Sequence, residues 1–126
     1  MLEAKPLQGS MPLTMEFTSV PPYGGFGQLK GIVRRVDTEK FRVAVYIRVH
    51  GGWWTKPTWN SPTVPLAADG SFAVDITTGG QDEQATDIAA FLLPAEYYPP
   101  GLRGEAGLPA ELAQKALGRV DVTRSG

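Results

Sequence analysis

The stretch Phe41-Arg42-Val43-Ala44-Val45-Tyr46-Ile47-Arg48-Val49-His50 decides the fold class. Phe41, Val43, Val45, Ile47 and Val49 share one parity, and Arg42, Ala44, Tyr46, Arg48 and His50 share the other. Side chains of a strand alternate between its faces, so this period of two specifies a half-buried strand with one core face and one decorated face. Gly51-Gly52 interrupts it, in a position suited to a bulge or a tight turn, before the aromatic segment Trp53-Trp54-Thr55-Lys56-Pro57-Thr58-Trp59. If parity carries across the break, Trp53 continues the buried set, and Trp54 continues the exposed set of Tyr46, Arg48 and His50. Trp59, beyond Pro57, falls on a loop.

Working outward, Met15 to Val20 reads as a first strand ended by Pro21-Pro22, and Leu29 to Val36 as a second. Between them Tyr23-Gly24-Gly25-Phe26-Gly27 is a loop carrying two aromatics. Downstream, Thr63 to Leu66 and Ser71 to Ile76 flank Ala67-Ala68-Asp69-Gly70, whose Asp-Gly pair supplies the positive φ of a short hairpin. Asp87 to Leu93 is apolar on both parities, as a central strand covered on both faces would be. Leu108 to Ala116 is the single helical segment, with Leu108, Leu112 and Ala116 on one face, and Arg119 to Arg124 is a closing strand. Residues 1–14 read as a flexible arm and 15–126 as one domain. The expectation is an all-β fold: an antiparallel β-sandwich of immunoglobulin or fibronectin type with one short helix before its last strand.

The 126 residues suffice for one domain. With 12 Lys+Arg against 13 Asp+Glu and no like-charge run longer than Arg34-Arg35, there is no electrostatic footprint for nucleic acid or an acidic membrane. The absence of Cys removes disulfides, thiolate metal sites and a thiol nucleophile. His50 is the one imidazole, which removes any multi-histidine metal site and leaves triad catalysis resting on one residue. Neither Tyr23 to Gly27 nor Gly79-Gly80 has phosphate-loop form. Asp82, Glu83 and Asp87 form the most concentrated acidic group and are the candidate Ca²⁺ ligands, although they do not make an EF-hand loop. No other cofactor is expected. Asp75 with Asp82 or Glu83 would be the carboxylate pair of a small glycan-acting hydrolase, which needs a deep cleft.

Three Trp between positions 53 and 59 exceed what one buried core anchor explains. Sugar rings present apolar faces and polar rims, so their sites pair flat aromatic surfaces with hydrogen-bonding groups at the edge. Trp54 and Trp59 with Tyr46, and Trp53 beside them, supply such surfaces; Arg48, Lys56, Gln81, Asp82 and Glu83 supply a polar rim.

The segments Val20-Pro21-Pro22-Tyr23-Gly24, Val43-Ala44-Val45-Tyr46-Ile47, Trp53-Trp54-Thr55-Lys56-Pro57, Asp69-Gly70-Ser71-Phe72, Asp75-Ile76-Thr77-Thr78-Gly79-Gly80 and Ala90-Phe91-Leu92-Leu93-Pro94 together resemble the small β-sandwich modules appended to secreted polysaccharide-degrading enzymes. The resemblance spans roughly residues 17–124 and implies non-catalytic binding of a glucan-type polysaccharide, with the aromatic role carried by Trp53, Trp54 and Trp59. It implies a catalytic domain as neighbour and an extracellular location; a chain complete as it stands, with no export signal in its first twenty residues, would be cytoplasmic. The rival expectation is a structural or protein-interaction domain of immunoglobulin type in which the Trp cluster is a core plug or a protein contact.

Overall fold

Alternating strands assemble into two antiparallel sheets whose apolar faces pack together. The computed structural model describes residues 12–58 and 60–125. In chain order the strands are β1 (Thr14–Ser19), β2 (Gln28–Arg34), β3 (Phe41–Val49), β4 (Gly52–Lys56), β5 (Val64–Pro65), β6 (Ser71–Asp75), β7 (Asp87–Pro94), β8 (Arg103–Glu105) and, after the helix α1 (Ala110–Lys115), β9 (Gly118–Thr123). One sheet has the order β1-β2-β6; the other has the order β8-β4-β3-β7-β9, with β5 also pairing β3. Among the described residues no helix is long and apolar enough to cross a membrane.

Between the sheets lie Leu29 and Val33 of β2, Val43, Val45 and Ile47 of β3, Phe72 and Val74 of β6, and Ile88, Ala90 and Leu92 of β7. Gly31 makes room in this layer: a Cβ there would stand 2.3 Å from Cζ of Phe72, its partner across the ladder. The glycine lets the Phe72 ring lie over the backbone of β2.

The second apolar face, expected from β7 alone, extends onto β3. The pattern of β3 implies a decorated outer face, yet Ala44 and Tyr46 are fully buried there, with Ala89, Phe91 and Leu93 of β7. Residues 95–117, the connection from β7 to β9, cross this face as a strap that inserts Leu102 and Leu112, with Leu108 and Ala116 beside them. The expected helical face of Leu108, Leu112 and Ala116 is therefore present and packed, although α1 itself is shorter than the sequence implied. The doubly apolar run of β7 is the strand buried on both sides that it reads as.

The expected hairpin around Asp69-Gly70 forms its turn but not its ladder. Gly70 N–H donates to Ala67 O at 2.8 Å, and Asp69 accepts hydrogen bonds from the Ser71 amide and hydroxyl. However, β5 pairs with β3 and β6 with β2, so the turn crosses from one sheet to the other. The cause is local: Gly70 O accepts the Val33 N–H at 2.8 Å, which docks the turn on the end of β2 and delivers Ser71 to Ile32.

Candidate functional site

The aromatic segment is positioned by a two-residue hairpin. Val49 pairs with Gly52, leaving His50 and Gly51 as the loop, with φ of 50° and 83°. Positive φ at both central positions is the type I′ signature, whose twist matches that of the flanking strands. Such a loop pairs even positions with odd ones, so Arg48 faces Trp53 and Ile47 faces Trp54. Parity is thus the reverse of a strand continuing through the glycines. Trp53 lies on the outer face with Tyr46 and Arg48, half-buried against the strap. Trp54 lies on the inner face with Ile47 and, one pair further on, Lys56 beside Val45.

Although Trp54 shares the core face, its side of the sandwich is open, because the three-stranded sheet ends at β6 and does not reach β4. A cavity of about 700 Å³ occupies that opening. Its walls are the His50-Gly51 turn, the inner face of β4, the loop from Thr78 to Asp82 and the segment around β8. Trp54, 39% exposed, supplies its aromatic surface.

β8 is fastened over this surface by Thr55, whose N–H donates to Leu102 O at 3.1 Å and whose Oγ1 accepts the Leu102 N–H at 2.7 Å. Trp54 then pairs with Arg103 and Trp53 with Glu105, leaving Gly104 as an extra residue with φ 98°. This is a bulge of the kind that requires glycine. A Cβ at Gly104 would be 3.2 Å from Trp54 Cζ2, so the bulge sets how closely the backbone approaches the indole.

The opposite wall is organised by Asp82 at the start of a single 3₁₀ turn, Asp82–Gln84. Its Oδ2 accepts hydrogen bonds from the Thr78 and Gly79 amides, each at 3.1 Å, and forms a close ion pair with Lys56 Nζ. Lys56 Nζ also donates to Thr78 Oγ1 at 2.9 Å, and that hydroxyl donates to Pro57 O at 2.6 Å. Lys56 and Asp82 are only 8% and 7% exposed. Two buried charges are tolerated at this depth because each neutralises the other, while two amides and the Thr78 hydroxyl add hydrogen bonds to Asp82 Oδ2 and Lys56 Nζ. At the mouth, His50 Nε2 lies 2.7 Å from Gln81 Oε1. Arg103, the remaining charged residue of the lining, also has a partner.

Of the expected ligand-binding residues, Trp54, Lys56, Gln81 and Asp82 meet in this cavity. Tyr46 is a correction: it is interior, its hydroxyl donates to Pro100 O at 2.8 Å under the strap, and burial pushes its phenol well above the usual range. Trp53 and Arg48 are also outside the cavity, Trp53 packing against the strap and Arg48 Nη1 lying 3.4 Å from Asp87 Oδ2. Glu83 does not line the cavity, and its backbone carbonyl accepts the Gly24 N–H at 2.8 Å. Trp59 lies outside the described residues, although its neighbour Thr58 lines the cavity.

The candidate Ca²⁺ ligands Asp82, Glu83 and Asp87 do not converge. Asp82 is committed to Lys56, Asp87 receives Thr123 and Thr86 hydroxyls, and among the described residues no three His, Cys, Asp or Glu side chains gather. Asp75 caps the Thr77 amide from the outer surface of β6 and does not line the cavity, so the hydrolase carboxylate pair is not assembled there.

Sequence reasoning missed Thr78, the glycines beside it and the whole of β8. The Gly79-Gly80 pair was a visible signal for a wall loop, whereas a three-residue strand inside a loop has too short a period to be read. His50, set aside as a catalyst, stands at the cavity mouth. Comparison of the chain with protein families, with curated proteins and with solved structures finds no match.

Proposed function

We propose that this domain is a non-catalytic carbohydrate-binding module that takes an uncharged, glucan-type chain in the Trp54 cavity. One observation carries the reading: a cavity of about 700 Å³ presents a half-open indole while its buried Lys56 and Asp82 are paired with each other. Ligand cavities fall in the range of roughly 300–1,000 Å³ and combine an apolar surface with a few polar groups that fix orientation. Polar groups from Thr78, Gln81 and His50 stand beside the ion pair, and Arg103 also lines the cavity. Because Lys56 and Asp82 already bind each other, a charged ligand would have to compete with that pair, whereas hydroxyls can bond to the uncharged Thr78 and Gln81. The strand order supports the immunoglobulin-type assignment, since the separation of β1, β2 and β6 from β3, β7 and β9 parallels the two strand sets of those sandwiches. In this reading the module is extracellular and serves a polysaccharide-degrading catalytic domain.

The test is affinity electrophoresis against β-glucan, xylan and chitin, with Trp54→Ala alongside the unaltered chain. Retardation on a neutral glucan that disappears in Trp54→Ala is the expected outcome. Passage without retardation through all three polymers, or retardation indifferent to Trp54, would sink the reading.

A further inference from the structure

We infer that the loop between β1 and β2 is a second contact for the same ligand, receiving the sugar units that run on beyond the Trp54 cavity. This rests on the reading of the cavity as a glycan site. From Val20 to Gln28 the loop carries no charged residue, yet it holds two aromatics. Phe26 is 71% exposed and Tyr23 37%. Beside Phe26 runs a groove of about 360 Å³ whose rim includes Gln28 and Lys30.

The loop is not a loose connection. Arg124 is 7% exposed, and its guanidinium donates to Pro21 O at 2.7 Å, Pro22 O at 3.1 Å, Ala85 O at 3.1 Å and Glu83 O at 3.4 Å. Burying a cation is costly unless its donors are satisfied, so carbonyls from two separate segments are drawn onto it. Gly24 N–H closes the same junction on Glu83 O. The aromatic loop is thereby fixed against the 3₁₀ turn Asp82–Gln84, whose first residue lines the Trp54 cavity. Three residues of 3₁₀ backbone rise about 6 Å, so loop and cavity share a thin wall. An uncharged aromatic loop held one turn from an aromatic cavity whose buried Lys56 and Asp82 pair with each other suits a hydroxyl-rich chain that crosses from one to the other. Rings held in advance also lose little freedom on binding.

Titration calorimetry with cellobiose, cellohexaose, laminaribiose and laminarihexaose tests this on the full chain, with Phe26→Ser, Tyr23→Ser/Phe26→Ser and Trp54→Ala. The unaltered chain should bind a hexasaccharide more tightly than its disaccharide. The loop double variant should weaken the hexasaccharide by roughly three- to tenfold, the scale of aromatic contacts, and leave the disaccharide unchanged. Trp54→Ala should weaken both. Equal weakening of both lengths by the loop substitutions, or no weakening of the hexasaccharide, overturns the extension while leaving the cavity reading intact. Absence of binding by the unaltered chain overturns both. Because Phe26 projects into solvent, Phe26→Ser alone carries the test if the double variant melts early.

Discussion

The two faces of the six-stranded sheet are both buried, but by different covers. The inner face is closed by a second sheet, and the outer face by a strap of largely irregular chain. Each cover stops at a different place across β4. On the outer face Trp53 packs against the cluster that the strap completes, while the opposing sheet ends before Trp54 on the inner one. Adjacent tryptophans therefore have fates opposite to their strand faces: the one on the core face borders a cavity, and the one on the outer face is packed. Exposure at a sheet edge is set by the reach of the cover and not by alternation alone.

The severest way to break this arrangement is to strand a charge where the inner cover ends. Asp82→Ala leaves Lys56 buried without its partner and should cost about 3–5 kcal/mol in urea denaturation. Lys56→Met/Asp82→Leu should recover most of that loss, since a well-packed apolar pair can replace a buried ion pair. If Asp82→Ala were neutral, the cavity wall would not depend on the pair.

Next is the strap. Leu112→Ala removes its fully buried anchor and should cost about 2–4 kcal/mol, also read by denaturation. Exposure of Tyr46 to solvent in near-ultraviolet spectra should accompany it, whereas an unchanged Tyr46 environment would show that Leu102 alone holds the strap down.

Alkali should loosen the outer cover in particular. Burial and the hydrogen bond it donates to Glu111 push Tyr97 up to about 12 from an ordinary value of 10.0. Tyr46 is raised as well, chiefly by burial. Unfolded chain releases its phenolic protons near pH 10.0, whereas the folded strap holds the Tyr97 proton until near 12. This contribution to stability is complete below pH 10.0 and is lost as pH rises through about 12. Thermal melts at stepped alkaline pH check the sign, and Tyr97→Phe should flatten the dependence.

The smallest effect concerns the two indoles themselves. Trp53→Phe should cost about 1–2 kcal/mol by removing packed area, and Trp54→Phe less than about 1 kcal/mol. Acrylamide should quench Trp54 more readily than Trp53 when the two variants are compared. The reverse order would mean that the strap, not the opposing sheet, leaves its end of β4 open.

Much of this molecule was legible as pattern. The run from Asp87 to Leu93 announces burial on both faces, and the alternation from Phe41 to Val49 announces the inner core. A second apolar face was also written there, in Ala44 and Tyr46 opposite Ala89 and Phe91, but it becomes visible only when β3 and β7 are placed side by side. The orientation of Trp53 and Trp54 turned on one local choice. Read as a break in a continuing strand, Gly51-Gly52 preserves parity; as a two-residue hairpin it reverses it, and the second case holds because His50 adopts the left-handed conformation. The cavity was half legible. Trp54, Lys56, Gln81 and Asp82 stood out by type, but their meeting depends on a loop more than twenty residues away and on β8, about fifty away.

By itself, the sequence determined the residue chemistry and the local rules: strand periods, turn positions, an uncharged aromatic loop, one imidazole and no thiol. Tertiary structure alone decided which apolar face is covered, which indole is left open and which carbonyls Arg124 gathers. Periodicity records only which side of its own strand a residue occupies. Whether that side meets another sheet, a strap or water depends on chain segments distant in sequence, and their reach is decided when the layers pack.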